Sequence, residues 1–193
     1  KAGATIRGIV FDGASEVAYA IRIDDTVTGA PVVISGCRVR NYTNRFVYVS
    51  LSGKIESLTI DDCIFIGADN STTNKAIYAS SAHTQVETLS VTNSTFLNFN
   101  TGSNYFFRIN CGEELVLMPV VLIDHCTFYN CYDRRGVYLY NAGRSTIKNC
   151  ISAFSERRDD TKSFTAYGDE SIVKNVISYN VDLYGSAPKE NII

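Results

Sequence analysis

One eight-residue pattern is written into the chain seven times, and it restricts the fold more than any other feature. The clearest copies are Leu58-Thr-Ile-Asp-Asp-Cys-Ile-Phe65, Leu89-Ser-Val-Thr-Asn-Ser-Thr-Phe96, Val121-Leu-Ile-Asp-His-Cys-Thr-Phe128 and Ser145-Thr-Ile-Lys-Asn-Cys-Ile-Ser152. Looser copies run Ala4–Phe11, Val32–Val39 and Ser171–Ser178. A repeat of this size identifies an architecture in which each copy buries its apolar face only against its neighbours.

Aligned copies give columns. The first reads Ile6, Ile34, Ile60, Val91, Ile123, Ile147 and Val173, whose successive members lie 28, 26, 31, 32, 24 and 26 residues apart. Three residues on stand Ile9, Cys37, Cys63, Ser94, Cys126, Cys150 and Val176, and two further on Phe11, Val39, Phe65, Phe96, Phe128, Ser152 and Ser178. Such spacing describes two short strands with alternate side chains turned inward. Between the first two columns sit Gly8, Gly36, Asp62, Asn93, His125, Asn149 and Asn175. These residue types tolerate a left-handed backbone at a site where others lose roughly 1–2 kcal/mol. A second column of the kind reads Gly13, Asn41, Gly67, Asn98, Asn130 and Asn180, with Phe154 as the exception. Two corners per copy make the chain wind.

A third strand follows in each copy: Ala20–Ile23, Phe46–Val49, Ala76–Ala79, Phe106–Ile109, Gly136–Leu139 and Ser163–Ala166. Its alternation sends pairs such as Val47/Val49, Phe107/Ile109 and Phe164/Ala166 inward. No helical period is sustained anywhere. The expected fold is therefore all-β: a parallel β-helix, a solenoid of about seven coils with sheets on three sides. Segments 68–75, 101–104 and 155–162 read as solvated loops, and 112–118 lengthens the other connection. Residues 182–193 lose the pattern and read as an end cap or a truncated coil.

The 193 residues, 45% of them hydrophobic, suit one domain with a continuous core. A formal net charge of −2 leaves no electrostatic footprint for nucleic acid. The longest apolar run, Leu115–Ile123, is broken by Pro119 and too short to span a membrane. A first residue of Lys1, with no leader ahead of the repeats, suggests a piece of a longer protein. Cys37, Cys63, Cys126 and Cys150 fill an inward column that also takes Ile, Ser and Val, so they read as small free hydrophobes. No CxxC or clustered histidines accompany Cys111 and Cys131, and His125 reads as a turn residue; no metal site or cofactor is expected. The doublets Asp24-Asp25, Asp61-Asp62 and Glu113-Glu114 leave calcium open, without a ligand-loop spacing.

Repeated x-Ile-x-Asn-Cys/Ser-x-Phe coils with an Asn corner resemble the right-handed parallel β-helix of pectate lyases, polygalacturonases and the chondroitinase B and alginate lyase group. The style is similar to β-helix domains of secreted bacterial proteins from glycan-degrading species. The resemblance covers residues 4 to about 181. It implies right-handed winding, as the preference of parallel crossovers also does. It further implies a secreted, periplasmic or cell-surface bacterial location, and a ligand groove along an outward sheet face.

The outward column of the third strand reads Arg22, Tyr48, Tyr78, Arg108, Tyr138 and Thr165, and the next Asp24, Ser50, Ser80, Asn110, Tyr140 and Tyr167. Tyr48, Tyr78, Arg108, Tyr138, Tyr140 and Asn110 are the expected ligand-binding set. Flat rings suit sugar C–H faces, amides and hydroxyls suit ring substituents, and Arg108 suits an anionic sugar. The same column is equally a stacking ladder that follows from the coil period. Paired aspartates for glycoside hydrolysis are missing from this face. A lyase would draw on Arg134, Arg135, Arg157, Arg158 and Lys162, which read equally as a salt-bridged loop. The sequence thus favours a polysaccharide-binding module without its own catalytic set. It leaves open a lyase acting on uronate-containing glycans and a purely structural stalk or adhesin. The oligomeric state is not legible.

Overall fold

Two kinds of corner residue turn the chain, and the rest of the structure hangs on them. Gly8, Gly36, Asp62, Asn93, His125, Asn149 and Asn175 all adopt left-handed backbone, with φ between 51° and 66°. The computed structural model describes residues 3–50, 53–67, 74–80, 86–99, 105–110, 120–131, 136–140, 144–154, 162–167 and 170–193, leaving aside the side chains of Ser80, Asn110, Tyr140 and Ser163. Within them there is no helix, and every strand pair is parallel.

The corner does not interrupt pairing between coils. The amides of Gly36, Asp62 and Asn93 donate to the carbonyls of Asp61, Thr92 and Asp124 on the following coil at 3.0–3.2 Å. Strand register is continuous across it: Ile34 lies beside Ile60, Ile60 beside Val91, Val91 beside Ile123 and Ile123 beside Ile147. Residues some thirty apart are thus neighbours, as the repeat requires.

The first and second strand families form one 14-stranded sheet, and the third forms a 7-stranded sheet. The solenoid has about five turns of three separate strands rather than the seven expected. In the last two copies the first and second strands run on as single elements, Arg144–Ala153 and Ile172–Tyr179, with Asn149 and Asn175 bending them. The pattern also continues past residue 181. Asp182–Tyr184 pairs with Lys162–Ala166, Lys189–Ile192 pairs with Ile172–Tyr179, and Asn191 takes the corner at φ 50°. All four residues of Lys189–Ile192 are exposed, so no buried apolar column marked this strand.

Each inward column becomes a stack along the solenoid axis. Phe65, Phe96 and Phe128 lie face to face at 5.0 and 4.9 Å, tilted by 7° and 8°. The expected third-strand residues Val47, Val49, Phe107, Ile109, Phe164 and Ala166 are buried. A further column was not evident from periodicity. Tyr42, Phe99 and Cys131, each following an Asn corner, turn inward, and the first two meet Phe46 and Phe106. Phe46 and Phe106 are fully buried although strict alternation points them outward, because the chain bends at the start of the third strand.

The second corner divides into two kinds. Asn41, Asn98, Asn130 and Asn180 are left-handed, whereas Gly13 and Gly67 are not. Those two glycines answer a need for space. A Cβ on either would stand 2.6 Å from the carbonyl oxygen of Asn41 or Asn98 and 3.0 Å from the ring of Tyr42 or Phe99. Phe154 instead packs on Val181. The segment 68–75 is only partly a loop. Its last two residues, Asn74 and Lys75, are buried: Asn74 donates to the Tyr42 carbonyl, and Lys75 opens a strand with its amide on the Asn44 carbonyl. The rest of 68–75, together with 101–104, 112–118, 155–161 and Glu113-Glu114, lies outside the described residues.

Polar side chains at the first corner form their own ladder. Asn191 donates to Asn175 (3.0 Å), Asn175 to Asn149 (3.1 Å) and Asn149 to Asp124 (2.9 Å). On earlier coils Asn93 and Thr92 both donate to Asp61, at 2.9 and 2.6 Å. These hydrogen bonds hold the Asp61 carboxyl below its ordinary range. His125 takes the corner at φ 52°, as expected of a turn residue, with Nδ1 2.7 Å from Asp124. Behind the corner, the thiols of Cys37, Cys63, Cys126 and Cys150 lie within 3.0–3.9 Å of carbonyls on their own or the preceding coil. The cysteines are free and buried as the sequence suggests, and they also act as weak donors.

Two expectations follow. Asn149→Ala forfeits the left-handed preference and an amide ladder bond, so urea denaturation should show a loss of about 2–3 kcal/mol. Asn149→Gly should recover roughly 1 kcal/mol of that, and equal losses would refute the conformational account. Burial pushes the Cys63 and Cys131 thiols up to about 11 and about 12, and contact with Cys126 together with burial raises that of Cys150. Thiolate is therefore negligible in those groups at neutral pH. All five described cysteines are buried, so alkylation of the native protein at pH 8 should spare them, and denaturant should expose all six in the chain.

Candidate functional site

The 7-stranded sheet carries the side chains that the sequence assigned to ligand binding, and the register places them in one row. Arg22 pairs with Tyr48, Tyr48 with Tyr78, Tyr78 with Arg108, Arg108 with Tyr138 and Tyr138 with Thr165. The row runs on to Tyr184, which pairs with Thr165. Asn110 and Tyr140 are register partners in the neighbouring column, with side chains outside the described set.

A second outward column lies three residues earlier, a signal the sequence held. Tyr19, Arg45, Lys75 and Tyr105 precede Arg22, Tyr48, Tyr78 and Arg108 by a constant offset. The offset is three because the bend turns two consecutive residues inward, as with buried Phe46 and Val47. Residues 45 and 48 are thereby left on the same outer face.

The two columns interlock. Tyr19 stacks on Tyr48 at 5.3 Å, Tyr48 meets Tyr78 at 6.0 Å, Tyr78 meets Tyr105 at 6.0 Å, and Tyr105 stacks on Tyr138 at 5.9 Å. The Arg45 guanidinium sits 4.4 and 4.3 Å from the Tyr48 and Tyr78 ring centres. Arg108 lies 4.5 Å from Tyr105 and donates to its hydroxyl. Arg22 stands 5.3 Å from Tyr19. The result is a ribbon of five rings with three guanidinium groups set against them, parallel to the solenoid axis. Burial, the neighbouring Tyr78 and its hydrogen bond raise the Tyr105 hydroxyl above the ordinary phenol range, so it stays protonated.

This geometry changes what the face offers. Ring faces in the ribbon are turned toward one another and toward arginine, so hydroxyls and ring edges remain for a ligand. Tyr48, Tyr78 and Arg108 are half-buried, whereas Tyr138 is 5% and Thr165 0% exposed. The accessible part of the row therefore lies on the coils from Arg22 to Arg108 and again at Tyr184.

Asp24 is held by Ser50 and by Arg22 at 2.8 Å, and these hydrogen bonds lower its carboxyl. Of the lyase candidates, Lys162 lies 3.2 Å from Asp182 and 5.9 Å from the Tyr184 ring. Arg134, Arg135, Arg157 and Arg158 lie outside the described residues. Among the described residues no three His, Cys, Asp or Glu side chains gather as a metal site. No helix there is long and apolar enough to cross a membrane.

No curated protein and no solved structure matches the chain. A protein-family model described as a domain of unknown function, DUF4957, matches residues 1–99, from the first coil through the fourth corner ladder at Asn93 and Asn98. By that match, over half its length, the chain belongs to the DUF4957 family.

Proposed function

We propose that this β-solenoid is a polysaccharide-binding module of a secreted or cell-surface protein, working without a catalytic set of its own. The observation that carries the reading is the tyrosine–arginine ribbon of the 7-stranded sheet. Arg22, Arg45 and Arg108 set cationic groups along one line, among the hydroxyls of Tyr48, Tyr78 and Tyr105. Coils repeat every ~4.8 Å, close to the length of one sugar unit in an extended chain. A linear glycan lying along the axis therefore meets a similar set of groups at each unit. Guanidinium groups favour carboxylate or sulfate substituents on such a chain. A secreted setting is compatible with the thiols, since burial shields the described cysteines from oxidants and raised pKa values add to this at Cys63, Cys131 and Cys150.

Two other readings follow from different features. A lyase would need a free base, and Lys162 Nζ is instead engaged by the Asp182 carboxylate at 3.2 Å. A structural stalk is favoured by the ring-on-ring stacking, which stiffens the solenoid without any ligand.

Affinity electrophoresis through gels containing polygalacturonate, alginate or a neutral β-glucan separates the three. Retardation by an anionic polymer, fading with added salt, is expected. Arg45→Gln combined with Arg108→Gln should weaken it about tenfold, equivalent to about 1.4 kcal/mol. Tyr48→Phe and Tyr78→Phe, which keep the stack and remove hydroxyls, should weaken it less. No retardation by any polymer would favour the stalk. Growth of an unsaturated product's absorbance on incubation would install the lyase instead.

A further inference from the structure

Beyond Thr165 the ribbon reopens as a concavity. A cavity of about 410 Å³ is lined by Tyr167, Leu183, Tyr184, Gly185, Ser186 and Lys189. Its walls differ from the ribbon in the orientation of their rings. Tyr167 and Tyr184 meet edge to face, 6.4 Å apart and 86° to one another. Tyr184 is 54% exposed; among the described residues no parallel ring stacks on it, and the Lys162 ammonium lies 5.9 Å from its centre. It thus presents what the interlocked tyrosines do not.

The floor is held in place by the turn after Tyr184. Gly185 has φ 99°, and a Cβ there would stand 1.9 Å from the Ala166 carbonyl oxygen. Glycine lets this turn press against the preceding coil, where the Ala187 amide donates to the same carbonyl at 3.3 Å. Lys189 closes the turn from the other side, its ammonium donating to the carbonyls of Gly185 (2.9 Å) and Ala187 (3.3 Å). An ammonium has three protons, so one donor remains for a ligand in the cavity.

We propose that this cavity is a subsite for a single pyranose unit, in line with the ribbon and deepening the polysaccharide-binding reading, from which it takes its ligand class. The apolar face of the sugar lies on Tyr184, its edge abuts Tyr167, and Lys189 donates to a ring hydroxyl or to the carboxylate of a uronate. Aromatic walls with a few convergent polar groups, in a volume of this size, are the usual make-up of a small-ligand site.

The test titrates the full chain with methyl glycosides of glucose, galactose and mannose and with glucuronate and galacturonate, followed by saturation-transfer NMR. At least one should bind with a dissociation constant of roughly 1 mM, ordinary for one small ring. Tyr184→Ala and Tyr184→Leu should each weaken that binding at least about fivefold. Tyr179→Ala, at a still more exposed tyrosine outside the cavity, should not. Circular dichroism confirms the fold of each variant. Absence of binding by all five sugars, or equal behaviour of the Tyr184 and Tyr179 variants, overturns the subsite. Polymer retardation without monosaccharide binding removes the subsite and leaves the ribbon reading. Monosaccharide binding lost with Tyr184, in a protein that no polymer retards, removes the ribbon reading and leaves the subsite.

Discussion

A left-handed residue that still donates its amide to the next coil is the interaction on which this structure depends. A tight corner normally ends a strand, because the turning residues lose their place in the ladder. Here the amides of Asp62 and Asn93 keep coil-to-coil hydrogen bonds at 3.2 and 3.1 Å while the chain changes direction. The backbone thereby stays paired around the bend, although Asp62 and Asn93 themselves are exposed. Asn serves better than Gly at such a site for two reasons. It leaves less conformational freedom to lose on folding, and its amide bonds the same position one coil away.

Once those corners are in register, every side-chain column becomes a ladder whether or not function asks for one. The face-to-face rings of Phe65, Phe96 and Phe128 and the thiols behind the first corner follow from the coil spacing. So does the ribbon of tyrosines outside. Aromatic pairs contribute roughly 0.5–1.5 kcal/mol each beyond area burial, and partly exposed cation–π contacts roughly 0.5–1 kcal/mol. Four ring pairs interleaved with arginine are therefore worth a few kcal/mol to the solenoid. A ring removed from the ribbon would weaken both stability and any binding, so only substitutions that preserve the stack separate the two roles.

Much of this was legible because winding converts sequence period into spatial adjacency. The corner residues, the Phe65–Phe96–Phe128 column and the Tyr48–Tyr78–Arg108–Tyr138 row could be read from spacing alone. What escaped lies where strict alternation fails. At the start of the third strand two consecutive residues turn inward, which hid Phe46 and Phe106 in the core. The same bend placed Arg45 and Tyr105 beside the expected row. Tyr42, Phe99 and Cys131 share a column but no common chemistry, so pattern matching passed over them. Gly13 and Gly67 stand in the corner column for reasons of clearance, which only the neighbouring coil reveals. Lys189–Ile192 is exposed along its length, and a strand without an apolar column leaves no periodic mark.

Interlocking decides which chemistry the face can offer a ligand. A sugar that stacks on tyrosine needs an open ring face, and in the ribbon those faces are spent on neighbouring rings and on guanidinium. The remaining groups are hydroxyls and charges, which under the proposed reading would meet the substituents of an extended anionic chain. Tyr184 stands outside that constraint. Its partner in the preceding coil is Thr165, which has no ring to stack on it, and Tyr167 approaches edge-on. One Tyr-to-Thr change in a single column thus breaks the ladder and leaves the next ring, among the described residues, without a parallel ring partner, the Lys162 ammonium lying 5.9 Å from its centre. The solenoid can vary binding chemistry along its length in this way, without altering a corner or a core residue.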